Sequence, residues 1–187
     1  MHLSSNRVLY TIARILQVAV ALVFLLAALL KALDPCSFQE QIAMYGIFPD
    51  LSSLAAWTLI IVEVGLATAL IVNLFPRVVI LLMMALLVFF IGITWYGMSI
   101  GLGENCGCFG NLVHRGPEQV ILEDALMIIA LLFSLVVLWS HRGKSYAVRL
   151  AVTLGTAGIA AVLIGVSPAL PVDDLVTQLR PGAFFTA

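Results

Sequence analysis

The sequence predicts an all-α fold, a polytopic bundle of membrane-spanning helices. Of the 187 residues, 63% are hydrophobic and only 10% are charged, whereas a soluble domain averages roughly 45–50% apolar and about 25% charged residues. The mean hydropathy is +1.15. The apolar residues form long runs without the polar alternation of membrane barrel strands, so the spans are expected to be helices.

Five stretches are long enough to cross a bilayer, which takes about 20 mostly apolar residues in a helix. They cover residues 12–33, 51–74, 78–100, 120–139 and 146–166. The first stretch is expected to persist as a helix rather than be cleaved as a signal peptide, since its apolar run is long and no clean A-x-A site follows. At the end of the third stretch, Gly97 and Gly101 form a G-x-x-x-G pattern, which favours close packing.

The chain is therefore expected to form one membrane domain over 1–187. A four-helix core occupies 10–140, and a fifth helix with an outer tail occupies 146–187. The segments 34–50 and 101–118 are read as loops on the outer side. These loops leave no room for a soluble catalytic domain.

The distribution of Lys and Arg predicts a cytoplasmic N-terminus and an outer C-terminus. In this orientation six basic residues lie inside and three lie outside. The inner six are Arg7, Arg14, Arg77, Arg142, Lys144 and Arg149. The outer three are Lys31, Arg115 and Arg180. Arg14 and Arg77 are expected to anchor the inner interface. A net charge of −1 offers no basic surface for nucleic acid, so nucleic-acid binding is not expected.

Three cysteines carry the main functional signal. Cys36 lies in the first outer loop, and Cys106-Gly107-Cys108 lies in the second. The outer side of a bacterial inner membrane is oxidising, and disulfides persist there. Three cysteines give one pair and one leftover thiol, which favours exchange chemistry over a purely structural bond.

The C-x-C spacing has a chemical consequence. A disulfide between Cys106 and Cys108 closes a very small ring, and departures from ideal geometry make a disulfide easier to reduce. Gly107 permits the unusual backbone angles that such a ring needs. We therefore assign Cys106 and Cys108 as catalytic candidates, with Cys36 as a resolving thiol or the first point of attack.

Two other interpretations of the cysteines stay open. The thiols of Cys36, Cys106 and Cys108, with His114, are soft ligands suited to Cu(I) or Zn. A C-x-C pair alone is a weak metal signal, so no metal ligand is assigned. A structural disulfide, or no specific role for the cysteines, is the remaining interpretation.

Charged residues inside the predicted spans are the second signal. Glu63 lies near the middle of the second span, where an ionised carboxylate costs at least about 2.5 kcal/mol. It is interpreted either as a proton or quinone site or as a buried structural hydrogen bond. Lys31 is expected to extend to the interface rather than serve as a deep partner. Glu123 and Asp124 are expected to begin the fourth helix, where the helix dipole favours negative charge.

The cysteine loop also resembles a known family. The string from Gly103 to Gly110 contains Cys106-Gly107-Cys108-Phe109-Gly110 and resembles the CGCFG signature of the MauE branch of the MauE/DoxX family of redox-associated membrane proteins. Weaker matches are the run from Lys31 to Pro35, then Phe38, Ile42, Tyr45 and Pro49, and later Glu63 with Gly65. The resemblance covers residues 10–140 and implies a DoxX-like four-helix core.

The resemblance implies a multi-pass protein of the bacterial inner membrane that assists maturation of methylamine dehydrogenase. The implied client is the periplasmic, disulfide-rich small subunit of that enzyme, and the implied partner is a periplasmic thioredoxin-like protein. The predicted topology places no cysteine on the inner side. Electrons taken from a client or partner dithiol therefore pass to a quinone, or no net electron flow occurs. The alternatives are a non-catalytic docking subunit and a soft-metal carrier using Cys106 and Cys108. The sequence leaves enzymatic and non-enzymatic roles open.

Overall fold

The computed structural model describes residues 2–46, 49–102, 116–138 and 147–166, and the ordered elements within them are helices. The helices are α1 (His2–Leu33), α2 (Pro35–Met44), α3 (Ser52–Ile71), α4 (Pro76–Ser99), α5 (Pro117–Leu138) and α6 (Ala147–Val166). A short 3-10 turn, Pro49–Leu51, precedes α3.

Within the described residues, four helices are long and apolar enough to cross a membrane. These are Arg7–Leu33, Ser52–Ile71, Pro76–Ser99 and Pro117–Leu138. Helix α6 adds a shorter apolar stretch, Arg149–Val162. Large apolar side chains such as Leu22, Leu54 and Val136 are more than half exposed on the outside of these helices. Lipid is the solvent that suits such a surface. The predicted polytopic helical bundle is therefore confirmed.

The segment 34–50 differs from its prediction as a loop, because it contains the helix α2. The Asp34 carboxylate accepts a hydrogen bond from the Ser37 backbone N–H at 3.0 Å, and Pro35 occupies the first turn. Both features stabilise a helix start. Phe38 is buried and packs near the end of α1 and the first half of α3. Ten residues are too few for a membrane span, so the hydropathy pattern did not reveal this helix.

Helices α1, α3, α4 and α5 form a four-helix bundle. Helix α1 packs on α3 and α5, α4 packs on α5 and α3, and α6 packs on the outside against α3. Contacts pair the end of α1 with the middle of α3, and the start of α1 with the end of α3, so these two helices are antiparallel. We call the end of the bundle that carries α2 the Cys36 end, and the opposite end the Arg14 end.

An apolar cluster fills the bundle towards the Arg14 end. Its buried members include Val20, Phe24, Leu70, Ile80, Met83, Leu87 and Leu131. They come from α1, α3, α4 and α5, so the four helices share one core. The core separates the polar groups at the two ends of the bundle.

Candidate functional site

The predicted cysteine site is described in part. Cys36 lies in the first turn of α2 and is exposed. Cys106 and Cys108 lie outside the described residues, as does His114. The segment 103–115 lies between the end of α4 and the start of α5. Since α4 ends and α5 begins at the Cys36 end, the chain connects both cysteine segments to the same end of the bundle.

Glu63 lies in the centre of the bundle and is paired. Its Oε1 atom is 2.5 Å from the Nζ atom of Lys31. The two residues are 0% and 2% exposed, respectively. The expectation that Lys31 extends to the interface is therefore wrong.

Lys31 stays buried because α2 covers the end of α1. The Lys31 ammonium lies 5.2 Å from the ring centre of Phe38 in α2 and 5.1 Å from that of Phe90 in α4. Aromatic ring faces attract a cation at this distance. A carboxylate and two rings thus replace water around the ammonium, and α2 closes the route by which the side chain would reach the interface.

Asp124 also differs from its prediction. The expectation that Glu123 and Asp124 begin the fourth helix is wrong, because α5 begins at Pro117 and its first-turn acid is Glu118. Proline is favoured at the first helical position, because it lacks a backbone N–H and an N–H at that position would have no partner within the helix. Asp124 is therefore two turns inside α5, and it is only 7% exposed.

A cavity of about 30 Å³ joins these charged residues. Its lining comes from four helices and comprises Val23, Phe24, Ala27, Lys31, Glu63, Phe90, Val120, Asp124 and Met127. The Oε2 atom of Glu63 and the Oδ2 atom of Asp124 are buried and find no hydrogen-bond partner among the described residues. The volume is that of about one water molecule. We call Lys31, Glu63 and Asp124 the buried charge cluster.

A different polar network lies at the Arg14 end. The Arg14 guanidinium donates hydrogen bonds to the carbonyl oxygens of Leu70 and Ile71 at 3.3 and 2.9 Å, and to Asn73 Oδ1 at 3.2 Å. Arg149 of α6 donates to the Asn73 carbonyl oxygen at 2.9 Å. These acceptors lie at the end of α3, where backbone carbonyls lack helical partners. Arg14 therefore ties α1 to the end of α3, in addition to its predicted place near the inner interface.

Replacement of Arg14 by methionine is expected to lower the free energy of unfolding by about 2 kcal/mol, because carbonyls at the end of α3 lose charged donors. Unfolding of the detergent-solubilised chain, followed by circular dichroism, measures the change. Arg7→Met is the matched control, since Arg7 is exposed on the same helix. Equal unfolding midpoints for the two variants would contradict this assignment.

The G-x-x-x-G pattern has two separate roles. Gly97 faces Tyr45, the residue after α2, and a Cβ atom at Gly97 would lie 2.9 Å from Tyr45 Cε1. Gly101 follows α4 with a φ of +82°, a left-handed conformation that glycine adopts without strain. Close packing is thus present at Gly97, whereas Gly101 serves to terminate α4.

Comparison with known proteins identifies the family. A family model described as "Methylamine utilisation protein MauE" matches residues 9–140. No curated protein and no solved structure matches the chain. The matched range contains α2 to α5 and most of α1, and with them the buried charge cluster and all three cysteines. The match covers well over half of the chain, so this multi-pass helical membrane protein belongs to the MauE family of methylamine utilisation proteins.

Proposed function

We propose that this protein assists thiol–disulfide exchange on the outer side of the bacterial inner membrane. Its client is the small subunit of methylamine dehydrogenase, and its partner is a periplasmic thioredoxin-like protein. The observation that carries the proposal is the exposure of Cys36 at the end of the bundle from which the segment with Cys106 and Cys108 departs.

Local structure supports a fixed position for Cys36. Helix α2 is capped by Asp34 and held down by the buried ring of Phe38. The thiol therefore projects from a helix packed on the bundle rather than from a free loop. Family membership links the chain to methylamine utilisation, and the exposed thiol supplies the chemistry.

The proposed exchange begins with a thiolate of the partner, which attacks the Cys106–Cys108 disulfide. One sulfur forms a mixed disulfide with the partner, and the other leaves as a thiolate. If a second partner thiolate then attacks, the partner becomes oxidised by two electrons and both cysteines are reduced. If Cys36 attacks instead, a disulfide to Cys36 forms, the partner thiolate is released, and no net electron transfer occurs.

The two outcomes differ in their need for an electron acceptor. Net oxidation of the partner requires an acceptor such as a quinone to reoxidise Cys106 and Cys108, whereas the route through Cys36 only moves the disulfide within this chain and requires none. The cavity beside Glu63 is about 30 Å³, far smaller than the roughly 300–1,000 Å³ of small-molecule pockets. This size supports a proton rather than a quinone at Glu63.

Thiol trapping in native membranes tests the proposal. We expect a membrane-impermeant alkylating reagent to label Cys36 directly, and Cys106 and Cys108 only after reduction. Cys106→Ser and Cys108→Ser are each expected to abolish disulfide maturation of the client, whereas Cys36→Ser leaves the reducible pair intact and slows release of the mixed disulfide. Mass spectrometry counts the labels.

Three results would contradict the proposal of thiol exchange on the outer side of the membrane. Normal client maturation in both serine variants would favour a non-catalytic docking subunit. Stoichiometric copper or zinc on the purified chain, lost when Cys106 and Cys108 are removed, would favour a metal carrier. Labelling only after the membrane is permeabilised would contradict the outer location of the cysteines.

A further inference from the structure

The buried charge cluster points to a function of its own. We propose that Glu63 and Asp124 share one exchangeable proton beside Lys31, so that the bundle contains a proton-holding site. Four core helices contribute to the site, because α1 carries Lys31, α3 carries Glu63, α4 carries Phe90 and α5 carries Asp124.

Charge balance is the first argument. Two ionised carboxylates beside one ammonium leave a net negative charge within an apolar bundle, which is unfavourable without a further positive charge. Among the described residues, the rings of Phe38 in α2 and Phe90 in α4 face Lys31, and they carry no charge. Glu123, the neighbour of Asp124 on α5, does not line the cavity and is not counted in the cluster. One proton on the two carboxyl groups brings the cluster to neutrality.

The unpartnered oxygen atoms are the second argument. Glu63 Oε2 and Asp124 Oδ2 are both buried and both belong to residues that line the cavity. Ionised carboxylates only accept hydrogen bonds, so two of them cannot satisfy each other. A carboxyl group that holds a proton is a donor. One proton therefore provides a donor for the other carboxylate, either directly or through one water in a cavity of about 30 Å³.

The same geometry disfavours a metal ion. A hard cation such as Ca²⁺ takes about six to eight oxygen ligands. The cluster has two oxygen atoms without a partner, and Glu63 Oε1 is already paired with Lys31. The Lys31 ammonium would also repel a second cation. A proton needs only the two oxygens that are present.

The position of the site indicates how protons reach it. Asp124 lies seven residues after the start of α5, a depth of about 10 Å at 1.5 Å per residue. Lys31 lies in the last turn of α1. Towards the Arg14 end, the apolar core closes the bundle. Helix α2 covers Lys31 at the Cys36 end and packs chiefly on α3, whereas Asp124 on α5 keeps 7% of its surface exposed. Exchange is therefore expected from the Cys36 end on the side of α5.

A proton-holding site near that end would suit chemistry in which thiols become thiolates. This use of the site rests on the proposed function, whereas the shared proton does not. A thiol loses its proton when it becomes a nucleophile and regains one when it becomes a leaving group. The cluster can accept or return one proton on the same side of the membrane.

Infrared spectroscopy of the purified full-length chain tests the shared proton. At neutral pH we expect the C=O stretch of one protonated carboxyl group per chain, shifted by exchange into D₂O. Asp124→Asn and Glu63→Gln should each remove this band, because one carboxylate then balances Lys31. Lys31→Met should double the band, since both carboxyls must then be neutral. Glu118→Gln is the matched control, because Glu118 is exposed on α5.

A wild-type chain without the band, or an undiminished band in Asp124→Asn, would overturn the proposal. If Glu63→Gln fails to fold, Asp124→Asn still decides, because it leaves the pair between Lys31 and Glu63 intact. The same spectrum is recorded for a chain with serine at Cys106 and Cys108. A retained band with normal client maturation would refute the thiol function alone, whereas loss of maturation without a wild-type band would refute the proton site alone.

Discussion

Replacement of Lys31 by methionine is expected to lower the free energy of unfolding by about 3–5 kcal/mol. The ammonium and the Glu63 carboxylate are both almost fully buried and lie 2.5 Å apart. Removal of one member of a buried pair leaves the other without compensation in an apolar environment. The rings of Phe38 and Phe90 would also lose their contact with a cation.

The double variant Lys31→Met/Glu63→Leu separates charge from packing. It removes both charges and keeps a similar volume, so it is expected to recover most of the lost stability. Glu40→Leu is the control for added apolar area, because Glu40 is exposed on α2. Unfolding by a denaturing detergent, followed by circular dichroism, gives the free energies. If Lys31→Met retained wild-type stability, the pair would contribute little, and the bundle would tolerate an unpaired Glu63.

Most of the fold could be predicted from the sequence because lipid imposes a simple rule. A backbone in hydrocarbon must be helical over about 20 residues, and such runs are visible in the sequence. Helices α3 to α6 therefore lie within a few residues of the predicted spans. Helix α2 follows a different rule, since its ten residues depend on the Asp34 cap and on burial of Phe38. Neither signal is visible in hydropathy.

The candidate site was predictable only in part. Glu63 stands out in the sequence, since a carboxylate in mid-span needs an explanation. The partners of Glu63 cannot be recognised in the sequence, because spacing within a helix does not say which helices become neighbours. Proximity to a helix end predicts that Lys31 reaches the interface, but α2 covers that end. A helix start at residue 120 predicts Asp124 in the first turn, whereas the helix begins at Pro117. The roles of Cys106 and Cys108 stay predictions.

A large side chain at position 97 is the second substitution that we expect to destabilise the protein strongly. A Cβ atom there would lie 2.9 Å from Tyr45 Cε1 and 3.3 Å from the Tyr45 hydroxyl oxygen. Gly97→Leu therefore forces the Tyr45 ring away from α4, and overpacking of this kind costs about 1–3 kcal/mol. Tyr45 directly follows α2, so the displacement is expected to loosen the helix that carries Cys36.

The alkylation rate of Cys36 reports that loosening. We expect Gly97→Leu to change the rate several-fold while the bundle stays helical, and Gly97→Leu/Tyr45→Ala to return it towards the wild-type value. Gly92→Leu is the matched control, because it places the same side chain on α4 where nothing lies within 4 Å. If both leucine variants gave the wild-type rate, the contact between Gly97 and Tyr45 would not hold α2. The position of Cys36 would then depend on Phe38 and the Asp34 cap alone.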